Sequence, residues 1–227
     1  MELTLTQDKV WSTLFARQLP KVREYACKEY LEGLENLNLP PDHIPGLEAL
    51  NREITPRTGW QAARTAVRYS DAVPWYQAFA QRRFLVTDYM REWSELDFTP
   101  EPDMFHDIFG HLPFMTLPRY TALQDMFAPA FHRADPEQRE NIKRLAWFST
   151  EFGLIREDGE PRIFGAGLIS SSGEMENVLA GNVPIHPYTI ENVLEYDKAI
   201  YSFNPALLVF DSIDALKAEL ARYFDSI

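Results

Sequence analysis

A mainly α-helical, compact single domain with a few short β-strands is what this chain predicts, on three observations. Apolar residues recur at helical spacing through the N-terminal third, from about Pro136 to Glu151, and from Ser212 to Phe224. Only short stretches, after Gly59, at Phe84-Leu85-Val86 and within Arg162–Gly173, have the composition or breaks of strands. The 227 residues contain no low-complexity linker and no internal repeat, so one core and one domain spanning 1–227 are expected.

Taken in order, Val10, Leu14, Val22, Tyr25 and Ala26 mark two packed helices, with Pro20 placed where one can give way to the other. Turn-forming residues from Leu39 to Gly46 follow, then a short helix over Leu47 to Glu53, and Gly59 opens an extended stretch. Pro100 and Pro102 stop any helix from running through them. Proline suits the first turn of a helix, so the next one is expected to begin near Pro102, with Asp103 favoured at its positive end. Ile142, Leu145, Phe148 and Phe152 predict the long helix from Pro136 to Glu151. Glycine and serine make Arg162–Gly173 a strand or loop. Ile213, Leu216, Leu220 and Phe224 form one stripe of a closing amphipathic helix.

With 45% hydrophobic and 13% aromatic residues the chain is too apolar to be disordered. Its 34 acidic against 22 basic residues give a formal charge of −12, a field that repels phosphate backbones and anionic lipid surfaces. Nucleic-acid and membrane partners are therefore not expected. The segment Met1–Asp8 lacks the basic start and apolar run of a secretory signal, and no later run is long enough to cross a bilayer, so a cytoplasmic location is expected. Cys27, the single cysteine, allows neither an internal disulfide nor a thiolate-rich metal site and reads as a small residue on the second helix.

The residues that carry chemistry are His106 and His111 in Thr99–His111, answered by Glu151 in Trp147–Leu154. Two imidazoles and one carboxylate can hold iron(II) on one face and leave the other open to oxygen and substrate. On an ideal helix a five-residue spacing leaves the histidines about 140° apart. A shared ion therefore requires that one imidazole lie near a helix end, and Gly110 and Leu112-Pro113 favour such an end at His111. Glu151 sits in an apolar stretch where a lone carboxylate is costly to bury. It is either a metal ligand, a partner of Arg144 or Arg156, or simply exposed at a helix end. His43, His132 and His186 read as surface or structural residues.

Three motifs occur in order: Thr-Pro-Glu-Pro-Asp-x-x-His-Asp-x-x-Gly-His from Thr99, Trp-x-x-x-Glu-Phe-Gly-Leu from Trp147, and Gly-Ala-Gly-Leu-x-Ser-Ser from Gly165. Together they resemble the pterin-dependent aromatic amino acid hydroxylases, above all the compact bacterial phenylalanine 4-monooxygenases. The N-terminal segments Arg17–Leu19, Ala26–Gly33 and Ile44–Glu48 are similar to the same enzymes, so the resemblance spans nearly the whole chain. It implies a single compact helical catalytic domain of aromatic amino acid hydroxylase type, with no separate regulatory or tetramerising segment. The expected assembly is a monomer or small homo-oligomer.

The resemblance implies that His106, His111 and Glu151 are the iron(II) ligands and the catalytic centre. It implies that Arg91, Thr99 and Ser170 grip the substrate carboxylate, a two-pronged contact to which arginine is suited. A bland reading of Arg91 has Glu92 and Glu95 neutralise a surface charge. Pro102, Trp147 and Phe152 would wall the aromatic ring, unless they are plain core. Asp103 and Glu174 match acidic residues behind the ligands or the grip, and Asp103 is expected to orient a ligand. Trp75 and Asp107 fall at the tetrahydropterin site. Here the chain departs from the family, with Asp107 where glutamate is usual, Ala146 for tyrosine, Trp75 for the stacking phenylalanine, and an unusual loop from Ala66 to Pro74.

The implied reaction is ring hydroxylation of L-phenylalanine to L-tyrosine with dioxygen and a tetrahydropterin. Alternatives are tyrosine, tryptophan or another ring position as target, another reductant, or a metal- or ligand-sensing protein without catalysis. Ile200, near the expected pocket, favours an unsubstituted phenyl ring.

Overall fold

Residues 5–67, 71–96, 99, 101–199 and 202–227 are described by a computed structural model. Pro100, Ile200, the first four residues and 68–70 of the Ala66–Pro74 loop lie outside the described residues. The two N-terminal helices are α1 (Leu5–Tyr25) and α2 (Lys28–Leu37), but Pro20 lies inside α1 rather than between them. Proline withdraws one hydrogen bond, from the carbonyl four residues back. Pro20 and Ala16 are both exposed, so water can take that place. The chain turns at Ala26–Cys27 instead, where the Cys27 N–H donates to the Ile163 carbonyl at 2.9 Å. Cys27 is thus the buried residue capping α2.

Helix α3 (Leu47–Thr58) runs past the expected end at Glu53 for the same reason, since both Pro56 and Arg52, the residue four back, are exposed. Strands β1 (Gln61–Thr65) and β2 (Arg83–Thr87) pair in parallel across α4 (Ala72–Phe79), with Gln61 opposite Arg83. Helical backbone resumes at Met104, passes through a π-helical turn at His106–His111, and continues into α5 (Leu112–Met115). Helices α6 (Pro118–Gln124), α7 (Phe127–Arg133) and α8 (Pro136–Ala146) follow. Asp135 and Gln138 cap α8 reciprocally, and α8 runs without a break into a second π turn, Trp147–Glu151.

Four strands, β3 (Leu154–Glu157), β4 (Glu160–Ile163), β5 (Ile185–Pro187) and β6 (Leu207–Phe210), form a sheet in the order β4-β3-β6-β5. The β3–β4 pair is antiparallel and the others are parallel. Helices α9 (Ala166–Ser170), α10 (Ser172–Leu179) and α11 (Ile190–Glu195) lie between them in sequence. Helix α12 (Ile213–Phe224) closes the fold with Ile213, Leu216, Leu220 and Phe224 buried, as their stripe predicts.

The glycine-rich Arg162–Gly173 corrects the sequence expectation, because its centre is helix α9. Its glycines serve contact rather than looseness. A Cβ on Gly165 would stand 2.2 Å from the Glu151 carbonyl oxygen, and one on Gly167 would stand 2.6 Å from the Phe152 ring. Close packing against the second π turn outweighs the helix penalty of about 1 kcal/mol for a glycine.

The core pins the first π turn from behind. Phe105 and Phe109 stack at 4.7 Å, Trp11 meets Phe105 edge-on at 5.4 Å, and Phe105, Ile108, Phe109 and Leu112 are fully buried. Among the described residues, no helix is long and apolar enough to cross a membrane.

Candidate metal centre

The π turn answers the difficulty of the five-residue histidine spacing. The Leu112 N–H donates to the Asp107 carbonyl five residues back, a pattern that brings positions five apart one above the other. The His106 and His111 ring centroids lie 4.8 Å apart, and their Nε2 atoms 3.1 Å apart. The helix end expected at His111 is absent, since the helix continues through Pro113. Proline has no N–H for the Phe109 carbonyl four residues back, and the Tyr30 hydroxyl donates to it instead at 2.8 Å.

The second π turn is built the same way, with the Phe152 N–H donating to the Trp147 carbonyl at 2.8 Å. It brings the Trp147 and Phe152 rings to 4.6 Å, again a pair five residues apart. It also carries Glu151 to the histidines. Oε1 lies 3.1 Å from His111 Nε2, and Oε2 lies 3.5 Å from His106 Nε2. One ligand atom from each of the three residues falls within 4.8 Å of the others. Arg144 pairs with Asp197 and Arg156 with Asp211, so neither supplies Glu151 with a cation.

Ser170 sets the protonation of His106. Its hydroxyl donates to the Ala166 carbonyl at 2.9 Å, so at 2.8 Å from His106 Nδ1 the oxygen accepts. The imidazole proton is thereby held on Nδ1, and the Nε2 lone pair faces His111 and Glu151. Burial, followed by the neighbouring His111, pushes His106 down to about 4, so the ring is neutral and able to bind a metal. Burial would lower His111 too, but the Glu151 carboxylate raises it. In return His111 holds Glu151 below its usual range against the effect of burial.

Asp103 works differently from the expectation that it orients an imidazole. It is fully buried and receives Arg91 Nε at 2.7 Å, Arg91 Nη2 at 2.9 Å and the Arg91 N–H at 3.1 Å. Its Oδ1 also accepts the His106 N–H at 3.0 Å, so it fixes the start of the ligand-bearing helix through the backbone. Burial alone would raise this carboxyl, but Arg91 holds it low. Arg91 itself is buried, and its charge is met by Asp103 rather than by Glu92 or Glu95.

A cavity of about 360 Å³ opens above the triad. Every candidate site residue lines it except Asp103, which stands behind Arg91. Arg91, Thr99, Pro102, Trp147, Phe152, Ser170 and Glu174 contribute to it, as do Trp75 and Asp107. Trp75 packs edge-on against Phe84 at 5.2 Å, and Phe84 in turn lies 4.9 Å from the His111 ring. The Asp107 carboxylate accepts the Thr87 N–H at 2.8 Å, and burial pushes it up to about 7. Val67, Asp71 and Ala72 bring the unusual loop to the cavity.

Three residues at the site carry no signal in the sequence pattern. Asn204, buried behind the cavity wall, accepts the Trp147 indole N–H at 2.7 Å and donates to Glu174 Oε1 at 3.1 Å, tying the ring wall to that carboxylate. Lys143 and Lys198 are among the lining residues. His43 sits exposed beside Asp42 and His186 stacks on Tyr196. Of the histidines among the described residues, only His106 and His111 join a metal-competent cluster.

A family model for "Biopterin-dependent aromatic amino acid hydroxylase" matches residues 1–227. The phenylalanine-4-hydroxylase of Pseudomonas aeruginosa is 38% identical over 184 residues, covering 80% of this chain and 68% of that protein. The phenylalanine-4-hydroxylase of Vibrio cholerae is 34% identical over 211 residues, with coverage of 92% and 73%. The crystal structure of Chromobacterium violaceum phenylalanine hydroxylase with bound iron(III) and 7,8-dihydrobiopterin superposes with a TM-score of 0.90. It is 31% identical and covers 99% of this chain and 83% of that one.

Proposed function

The chain belongs to the biopterin-dependent aromatic amino acid hydroxylases, and on that premise we propose that it hydroxylates L-phenylalanine at the para position to give L-tyrosine. Dioxygen and a tetrahydropterin are the co-reactants. The observation that carries this reading is the convergence of His106 Nε2, His111 Nε2 and a Glu151 oxygen at the floor of an aromatic-walled cavity. The donor set suits iron(II), with two imidazole nitrogens and one carboxylate oxygen on a single face. Iron, when bound there, supplies the activation of dioxygen by the reduced pterin.

The chain's own residues bind and orient. Asp103 takes the Nε and one Nη2 donor of Arg91, which leaves the Nη1 donors for the carboxylate of the amino acid. Thr99 lines the same cavity. Ser170, expected to share that grip, already commits its proton to Ala166 and serves His106 instead. Trp147, Phe152 and Pro102 offer apolar surface to the substrate ring and exclude water from it. On the other side, Trp75 offers an aromatic face and Asp107 a carboxyl group to the pterin. The net charge of −12 supports a monomer or small homo-oligomer, which light scattering on the purified chain tests.

The decisive experiment supplies iron(II)-loaded protein with L-phenylalanine and oxygen, with and without a tetrahydropterin, and analyses the products. Tyrosine formed only with the pterin is the expected result. Stoichiometric iron with no tyrosine under either condition refutes the substrate assignment.

A further inference from the structure

The wall of the cavity contributed by α8 and its π turn runs from Glu151 through Thr150, Trp147 and Ala146 to Lys143. At 1.5 Å per residue this places Lys143 about 12 Å along the helix from the metal-binding carboxylate. Lys198 joins it from the chain that follows α11. These are two of the six lysines in a strongly acidic chain, and both line the cavity. Their side chains are only 29% and 17% exposed.

One carboxylate serves both ammonium groups. Glu140 pairs closely with Lys143 through Oε1, and its Oε2 lies 3.8 Å from Lys198 Nζ. Glu140 is itself 54% exposed, so it meets the lysines from the solvent side. The nearby Arg144 is already paired with Asp197. The balance is two positive charges against one negative, partly withdrawn from water. Burial, with Lys143 adding to it, lowers the Lys198 ammonium, the response of a cation short of negative partners.

This wall is joined through the fold to the element that carries the expected pterin-stacking ring. Helix α8 packs on α7, and α7 packs on α4, which carries Trp75. Ala146 stands between Lys143 and the triad with only a methyl group, at the position where the resemblance leads one to expect a tyrosine ring. The opposite grip, Arg91 held by Asp103, provides for the carboxylate of the amino acid.

We propose that Lys143 and Lys198, reached through the space at Ala146, form an anion subsite, and that the reductant of this chain is a pterin whose side chain ends in a phosphate or carboxylate. The proposal rests on the pterin-dependent reading above and names the class of pterin. The cation pair gives the side chain two charge-assisted contacts, while the pterin ring lies toward Trp75 and Asp107.

Calorimetric titration of the iron(II)-loaded chain without oxygen tests it, because a dihydropterin is already oxidised and permits no turnover. The probes are 7,8-dihydroneopterin, its monophosphate and dihydrofolate, which differ in an absent, a phosphate or a carboxylate terminus. Binding about tenfold tighter for one charged probe than for dihydroneopterin is expected, with the advantage shrinking as salt is added. Which probe shows it distinguishes phosphate from carboxylate. Lys143→Met with Lys198→Met should bring the affinities together, while Lys143→Arg with Lys198→Arg should keep them apart. Equal affinities in the unaltered chain, or a preference that survives the methionine pair, overturn the proposal. In either case binding of the uncharged pterin leaves the hydroxylase reading standing. Failure of all three pterins to bind overturns both.

Discussion

Replacing Ser170 with alanine separates two roles for one hydroxyl. In the structure Ser170 is buried, donates to the Ala166 carbonyl at 2.9 Å and accepts His106 Nδ1–H at 2.8 Å. Alanine removes the acceptor and leaves a buried N–H unpaired, at a cost of about 1–3 kcal/mol. The same loss frees the His106 ring to turn, or to move its proton to Nε2 and block the metal-binding lone pair. Loss of such a partner costs about 10–100-fold in metal affinity, which agrees with the hydrogen-bond figure. Helix α9 itself should be undisturbed, because alanine is the better helix former. Chelator competition with iron(II) or cobalt(II) gives the affinity, and circular dichroism confirms the fold. Ser170→Thr, which keeps the acceptor at the expense of one methyl group, should retain most of the binding. If Ser170→Ala binds metal as tightly as the unaltered chain but shows a raised KM for the amino acid, the hydroxyl grips substrate and the tautomer argument is wrong.

Asp103→Asn breaks a fully buried pair and leaves the Arg91 charge without its counterion, so a loss of about 3–5 kcal/mol is expected. It should appear as a lowered melting temperature together with a raised KM for the amino acid, and a variant unchanged in both would count against the Asp103–Arg91 clamp. Glu174 is raised by burial, with only Oε1 partnered by Asn204. Its folded-state carboxyl therefore favours the protonated form, stability from this group is fully present at low pH, and it is lost as pH rises through the raised value. The melting temperature of Glu174→Gln relative to the unaltered chain should accordingly climb between about pH 4 and pH 7. A difference constant across that range would show that Glu174 titrates normally.

Much of the site is legible in the sequence, because donor chemistry is a property of residue type. His106, His111 and Glu151 are the histidines and carboxylate that the structure brings together, and the stripe Ile213, Leu216, Leu220 and Phe224 is buried as its spacing requires. Helix breaks were less legible. Pro20 looks like a break between helices, yet both Pro20 and Pro56 lie inside helices on exposed faces, where water can replace the hydrogen bond that each removes.

What the sequence alone determined was the set of groups that can bind a metal, an aromatic ring and a carboxylate, and the apolar periodicity of the helices that carry them. Tertiary structure decided how those groups meet. Ideal helical periodicity cannot bring His106 onto His111 or Trp147 onto Phe152; the two π turns do so, and a π turn persists only where packing and alternative donors such as Tyr30 compensate its backbone. The helical state of α9 depends on close contact of Gly165 and Gly167 with the second π turn. The partners Asp103–Arg91, Ser170–His106 and Asn204–Trp147 join residues 12, 64 and 57 positions apart. Such pairings leave no periodic trace, because they exist only after the core has packed and water has been excluded from the groups that must then satisfy one another.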